Sequence, residues 1–86
     1  MTVTLELTYD MAKALGTRAL QVEGARTVAE ALRAARERFA GREGDFERMA
    51  GVAAIAVNGV LVAHRREGVR LADGDLVTFV KTAAGG

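Results

Sequence analysis

The sequence predicts an α+β domain in which a mixed sheet of five strands packs against one main helix, in the order ββαβββ. Several short segments have apolar residues at every second position, as half-buried strands do. One longer segment has apolar residues at helical spacing, which indicates an amphipathic helix. A sheet and such a helix can bury each other's apolar faces as two layers.

The N-terminal residues predict two strands that form a hairpin. Residues 2–10 alternate, and their apolar side chains on one side are Val3, Leu5, Leu7 and Tyr9. Residues 11–17 are predicted to form a loop or short turn. Leu20 and Val22 then mark the inward side of a second strand, which ends at Gly24.

The main helix is predicted to begin at Thr27. Thr27 and Glu30 have the spacing of a capping box, in which the Thr side chain binds the third amide and the Glu reaches back. Apolar residues then recur along one stripe, at Val28, Leu32, Ala35 and Phe39. Gly41 is expected to end the helix. Residues 42–51 are predicted to form a loop with at most one helical turn, at Phe46–Met49.

Three further strands are predicted in the C-terminal part. Residues 53–57 and 60–62 are apolar, and the Asn58-Gly59 pair between them favours a type I′ hairpin turn, because both turn positions need positive φ. Asp73-Gly74-Asp75 predicts another turn, and its two carboxylates are attributed to turn chemistry rather than to a metal site. Residues 76–80 form the last predicted strand.

The composition favours a small globular protein that is not an enzyme on its own. The chain has 86 residues and a net charge of +1, so its overall charge does not favour nucleic acid or acidic lipid as a partner. It has one His, no Cys and no Ser, which excludes disulfides, thiolate metal sites and triads with a Ser or Cys nucleophile. The apolar residues are scattered, so we expect no membrane-spanning segment and a cytoplasmic location.

The sequence ends in two glycines, and this tail is the strongest functional signal in the chain. We divide the chain into a domain, residues 1–81, and a flexible tail, residues 82–86, which ends in Ala83-Ala84-Gly85-Gly86. Glycine has no Cβ, so a Gly-Gly end can pass through a narrow channel and present its carboxylate. The alternative is an ordinary frayed terminus.

The chain resembles the β-grasp, ubiquitin-like sulfur carriers of the MoaD/ThiS family. The segments that carry the resemblance are the opening strand, Thr27–Glu30, Ala56–Gly59, Leu71–Asp75 and Gly85-Gly86. Together these segments extend over essentially the whole chain. The resemblance implies a β-grasp fold and a function that depends on the C-terminal carboxylate.

The chemistry that the resemblance implies takes place at Gly86. A free C-terminal carboxylate is ionised at neutral pH and must be activated before it can react. The resemblance implies that an E1-like adenylyltransferase of the MoeB/ThiF type uses ATP to adenylate Gly86, and that a sulfur donor then converts it to a thiocarboxylate. Gly85, Ala84 and Ala83 would be recognised as the slim tail. No cofactor would be bound by the chain itself.

The destination of the sulfur remains open within the family. Residues Tyr9–Gly16 resemble MoaD, the small subunit of molybdopterin synthase, which implies a MoaE-like large subunit as the sulfur acceptor. MoaD proteins commonly carry a Pro-Pro pair before the tail, whereas this chain has no Pro. The alternatives are a ThiS-like or other carrier (for thiamine, cysteine, tRNA thiolation or a secondary metabolite), a ubiquitin-like protein modifier, and a β-grasp binding module without terminal chemistry.

Partner docking is expected on the exposed face of the sheet near the last strand, because the tail leaves from there. The candidates are Phe79, Lys81 and Leu61. Core packing is the alternative role for Phe79 and Leu61, and a solvated surface position is the alternative for Lys81.

Overall fold

The computed structural model describes residues 1–62 and 68–82, which form a five-stranded sheet and three helices. The elements are β1 (Thr2–Glu6), α1 (Tyr9–Leu15), β2 (Ala19–Glu23), α2 (Val28–Arg38), α3 (Glu43–Val52), β3 (Ala54–Val57), β4 (Val60–Val62) and β5 (Leu76–Val80). The order in the sheet is β2-β1-β5-β3-β4. Strand β5 runs parallel to β1 and antiparallel to β3. The predicted α+β class and the five predicted strands are confirmed.

The main helix begins where its capping box predicts. The Thr27 side chain accepts a hydrogen bond from the amide of Glu30 at 3.2 Å. The Glu30 carboxylate accepts from the amide of Arg26 at 2.8 Å, so the box closes one residue earlier than the standard pattern. The helix α2 then buries Val28 and Ala35 against the sheet side of the core.

The core lies between the helices and one side of the sheet, here called the inner face. The strand residues of the inner face are Val3, Leu5, Leu20, Val22, Ile55, Val77 and Phe79, and all are buried. Three aromatic rings join the layers: Phe39 stacks on Phe46 with ring centroids 5.5 Å apart, and Phe46 meets Phe79 edge-on at 6.1 Å. Such ring pairs add stability beyond the buried area.

The first segment predicted as a loop is a helix, α1. The Thr8 side chain caps this helix by accepting from the amide of Met11 at 3.1 Å, and Gly16 ends it with a φ of 83°. Met11 and Leu15, four residues apart, are buried in the core. Strand β1 therefore ends earlier than predicted, and Tyr9 is exposed rather than turned into the core.

The second segment predicted as a loop is also a helix, α3. Its Gly44 and Gly51 each disfavour a helix by about 1 kcal/mol relative to Ala. The packing of Phe46 and Ala50, four residues apart on one face, outweighs that penalty because both side chains are buried. Each of the two corrected helices is thus stabilised by apolar residues at i and i+4.

Two predicted turns are confirmed. Asn58 and Gly59 have φ values of 51° and 84°, as a type I′ turn requires. Gly74 has a φ of 86°, and its amide donates to the carbonyl of Thr2 at 2.7 Å. Among the described residues, no helix is long and apolar enough to span a membrane.

Candidate functional site at the end of strand β5

The C-terminal segment leaves the fold from the middle of the sheet. Strand β5 lies between β1 and β3 and ends at Val80. Lys81 and Thr82 follow, and we call these two residues the tail root. The proposed site residues Ala83, Ala84, Gly85 and Gly86 lie outside the described residues. The structure therefore defines the base from which the tail starts.

The opposite end of β5 is fixed by a network that we call the turn clamp, made of Asn58 and Asp75. The Asn58 amide group donates to Asp75 at 3.0 Å, and its oxygen accepts from the amide of Leu76 at 2.9 Å. The Asp75 carboxylate also accepts from the amide of Ala72 at 2.8 Å. The hydrogen bond from the Ala72 amide has the larger effect and that from the Asn58 side chain the smaller. Both lower the pKa of Asp75, because they favour the charged carboxylate.

The other side of the sheet, here called the outer face, is apolar near the tail root. Leu61 pairs with Ala56 and Ala56 with Thr78, so these three residues form a row across β4, β3 and β5. Ala54 pairs with Val80 in the next row. Leu61 is 65% exposed and Val80 is 37% exposed. Of the residues that the structure describes, only the small alanine side chains of Ala54 and Ala56 in β3 lie between these two exposed side chains on the outer face.

The structure corrects the expected role of Phe79. Its side chain is buried on the inner face and packs edge-on against Phe46. Side chains alternate along a strand, so Val77 and Phe79 face the core while Thr78 and Val80 face outward. Phe79 is therefore a core residue, and Val80 lies where Phe79 was expected. Leu61 does lie on the outer face.

Lys81 is exposed and forms an ion pair that the sequence did not indicate. Its ammonium nitrogen lies 3.4 Å from a carboxylate oxygen of Asp10, in the first turn of α1. The sequence pattern had placed Asp10 in the first strand, so no contact with the C-terminal segment was expected. The two residues are 71 positions apart in the chain.

A groove of about 330 Å³ lies beside the tail root, between α1 and α3. Its lining consists of Thr8, Asp10, Met11, Arg48, Met49, Val52, Ala53, Lys81 and Thr82. The groove and the outer face flank the tail root from different directions. A partner that binds the tail root would therefore contact both the groove and the outer face.

The arginines near the end of α2 have structural partners. Arg38 donates to the carbonyl of Gln21 at 2.7 Å, and Arg42 donates to the carbonyl of Ala14 at 3.0 Å. Arg36 pairs with Glu47 of α3, and this contact raises the pKa of Arg36. Within residues 1–62 and 68–82, no group of three His, Cys, Asp or Glu side chains is arranged to hold a metal ion.

Comparison with known proteins connects this geometry to a family. The sequence model of the ThiS family matches residues 8–86. The chain belongs to the ThiS family. The resemblance to MoaD/ThiS proteins that the sequence indicated is thereby confirmed. No curated protein sequence matches this ThiS-family chain.

Solved structures confirm the β-grasp, ubiquitin-like fold of this ThiS-family protein. Small archaeal modifier protein 1 from Haloferax volcanii is similar at a TM-score of 0.77 and 24% identity, with both chains fully covered. Its namesake from Methanosarcina acetivorans has a TM-score of 0.77 and 19% identity, covering 99% of this chain and 96% of that one. A complex of subunits 1 and 2 of molybdopterin-converting factor from Helicobacter pylori 26695 contains a chain with a TM-score of 0.66 and 24% identity, both chains fully covered.

Proposed function

We propose that the protein is a sulfur carrier whose Gly86 carboxylate is adenylated by an E1-like enzyme and then converted to a thiocarboxylate. The recipient that we favour is the biosynthetic pathway of molybdopterin, with this chain acting as a MoaD-like small subunit of molybdopterin synthase. The observation that carries the proposal is the Gly85-Gly86 terminus, which follows the central strand β5 after a few residues. Membership of the ThiS family supports it.

The proposed reaction has two steps, and the first needs ATP. The Gly86 carboxylate attacks the α-phosphorus of ATP, forming a mixed anhydride with AMP and releasing pyrophosphate. A sulfur donor at the oxidation level of hydrosulfide then attacks the carbonyl carbon. The bond to AMP breaks, AMP is released, and a thiocarboxylate remains. The chain has no Cys and no Ser of its own, so the sulfur would be carried on the terminus. Dependence on ATP favours the cytoplasm as the location.

The geometry allows the terminus to enter a partner while the domain stays outside. Residues 81–86 can span about 20 Å when extended, at roughly 3.3–3.6 Å per residue. Gly85 and Gly86 add no side-chain width, and Ala83 and Ala84 add a single methyl group each. On this proposal, the chain is a substrate of its activating enzyme and is not itself an enzyme.

Two partners follow from this proposal. The first is an E1-like adenylyltransferase of the MoeB/ThiF type, and the second is a MoaE-like synthase subunit that accepts the sulfur. Support for the second comes from the Helicobacter pylori structure, in which subunits 1 and 2 of molybdopterin-converting factor form a complex. The exposed side chains of Val80, beside the tail root, and of Leu61, on the edge strand of the same face, are suited to such contacts.

A protein modifier is the second candidate function. Two of the structures with a TM-score of 0.77 are named small archaeal modifier proteins, and this favours the modifier as the alternative. A modifier needs the same adenylated terminus, but a lysine amine of another protein replaces sulfur as the nucleophile. The two functions therefore share the activation step and differ in the product.

Intact mass measurement separates the candidates. The protein is incubated with ATP, each E1-like adenylyltransferase of its organism in turn, and hydrosulfide. A carrier gains the mass of one sulfur-for-oxygen exchange, and the gain requires ATP. Because a modifier would also be adenylated and could react with added hydrosulfide, the two are separated in cell extract without hydrosulfide: a carrier forms the thiocarboxylate there, and a modifier forms ATP-dependent conjugates of higher mass. No adenylation with any of these enzymes contradicts both functions and favours a binding module.

A further inference from the structure

The ion pair between Asp10 and Lys81 connects the tail root to the body of the fold. Lys81 is the first residue after β5, and Asp10 lies in the first turn of α1. Their charged atoms are 3.4 Å apart, and the side chains of Asp10 and Lys81 are 52% and 61% exposed, respectively. Asp10, Lys81 and Thr82 also line the same groove. The pair is therefore placed where the tail begins.

The position of Lys81 in the strand pattern explains what this contact does to the main chain. Val77 and Phe79 point to the inner face, and Lys81 follows two residues after Phe79, directly beyond the end of β5. Its ammonium group meets α1, which packs on the same side of the sheet. The ion pair therefore restrains the side chain of the first residue after β5 on the side of the sheet where α1 packs.

We propose that the Asp10–Lys81 ion pair aligns the tail root with β5 and so sets the direction in which Gly86 is presented to the activating enzyme. This inference rests on the proposed function, because it assigns both residues as positioning residues for the adenylation step. A tail that starts in one direction loses less conformational freedom when it enters a partner's channel. The pair is exposed, so we expect a modest effect of about two- to fivefold.

Four variants test the ion pair. Asp10→Asn and Lys81→Gln each remove one charge with little change of shape. The double exchange Asp10→Lys with Lys81→Asp restores a pair with reversed charges. The matched control is Glu47→Gln, which removes an exposed carboxylate that pairs with Arg36 between α2 and α3, away from the tail root.

The first measurement needs no enzyme. Backbone order parameters from NMR relaxation report whether the amide of Lys81 is held. We expect a value near that of rigid backbone, about 0.85, in the unaltered protein and in Glu47→Gln. Asp10→Asn should lower it towards about 0.6, and 1 M salt should do the same in the unaltered protein by screening the pair. An unchanged order parameter in Asp10→Asn overturns the alignment.

The second measurement is the rate of adenylation against protein concentration. Asp10→Asn and Lys81→Gln should each raise KM about two- to fivefold with kcat unchanged, and the reversed pair should recover most of the loss. If Lys81→Gln raises KM while Asp10→Asn does not, Lys81 contacts the enzyme directly and the proposal is wrong. If the unaltered protein is not adenylated, the proposed function fails, and the order parameters alone decide whether the pair aligns the tail root.

Discussion

Strand β5 begins in a network of hydrogen bonds and ends beside an exposed ion pair. At its start, the turn clamp of Asn58 and Asp75 binds the main chain of Ala72 and Leu76. At its end, Lys81 and Asp10 are more than half exposed, and their charged atoms are 3.4 Å apart. Hydrogen bonds from backbone amides to a carboxylate are stronger than an exposed ion pair. The side-chain contacts at the two ends of one strand therefore differ in strength.

The part of β5 that stabilises the fold is thus separate from the part that leads into the tail. The start of β5 is connected to β1 as well, because the amide of Thr4 donates to the carbonyl of Asp75 at 3.0 Å and the amide of Thr2 donates to Asp73 at 2.8 Å. Changes there should affect folding. Substitutions after Val80 should change the recognition of the tail by partners and should leave the free energy of unfolding almost unchanged.

The largest effect is expected at the terminus. Replacing Gly86 with Ala, or adding one residue after it, should abolish adenylation by the activating enzyme, because a Cβ widens the terminus and an extra residue displaces the carboxylate by one position. The unfolding midpoint in urea should stay unchanged. Pyrophosphate exchange with ATP measures the first quantity. An ATP-dependent mass gain on the extended variant would contradict the prediction.

The next largest effect is expected where β5 enters the core. Phe79→Ala should lower the free energy of unfolding by about 3–5 kcal/mol, because it leaves a cavity beside Phe46. The matched control is the neighbouring Val80→Ala, which should cost less than about 1 kcal/mol because Val80 is partly exposed on the outer face. Urea unfolding measures both. Equal costs for the two variants would mean that the assigned faces of β5 are wrong.

A smaller effect is expected at the turn clamp. Asn58→Ala removes the side-chain hydrogen bonds to Asp75 and Leu76 and also strains a backbone with a φ of 51°. We expect a loss of about 1–3 kcal/mol of unfolding free energy. Asn58→Gly removes the same hydrogen bonds but accepts the positive φ, so it isolates the side-chain contribution. The clamp is refuted if Asn58→Gly is as stable as the unaltered protein.

The smallest effect is a pH dependence of stability from Asp75. Its pKa is lower in the folded protein, so its charged form stabilises the fold above the unfolded pKa of about 3.9. That stabilisation is lost as the pH falls from there through the lower folded pKa. In Asp75→Asn the slope of unfolding free energy against pH below about pH 4 should be shallower than in the unaltered protein. Parallel pH profiles for the unaltered protein and Asp75→Asn would exclude this role.

Sequence patterns predicted the strands and turns because those depend on local spacing. The alternation that marks β1 and β2 and the Asn58-Gly59 pair that marks a turn are both visible within a few consecutive residues. Helices α1 and α3 were missed, since each buries only two side chains and so shows no extended apolar stripe, and Gly44 and Gly51 disfavour α3. Their stability comes from packing, which a local pattern does not contain.

The candidate site was predictable only in part. The Gly-Gly terminus is visible in the sequence, and Leu61 lies on the outer face as expected. The facing of β5 was ambiguous because four of its five residues are apolar, so alternation does not mark which of Phe79 and Val80 is buried. The contact of Asp10 with Lys81 joins distant parts of the chain and depends on the helix α1, so it needed the structure.

The most direct test of the sulfur-carrier account is to locate the sulfur. The reacted protein is cleaved after lysine, which releases residues 82–86 as a short peptide because Lys81 precedes them. Mass spectrometry of that peptide should show one sulfur in place of one oxygen, on Gly86, only when ATP and the activating enzyme are present. A sulfur gain elsewhere in the chain, or an unmodified peptide after complete adenylation and hydrosulfide treatment, would contradict the account.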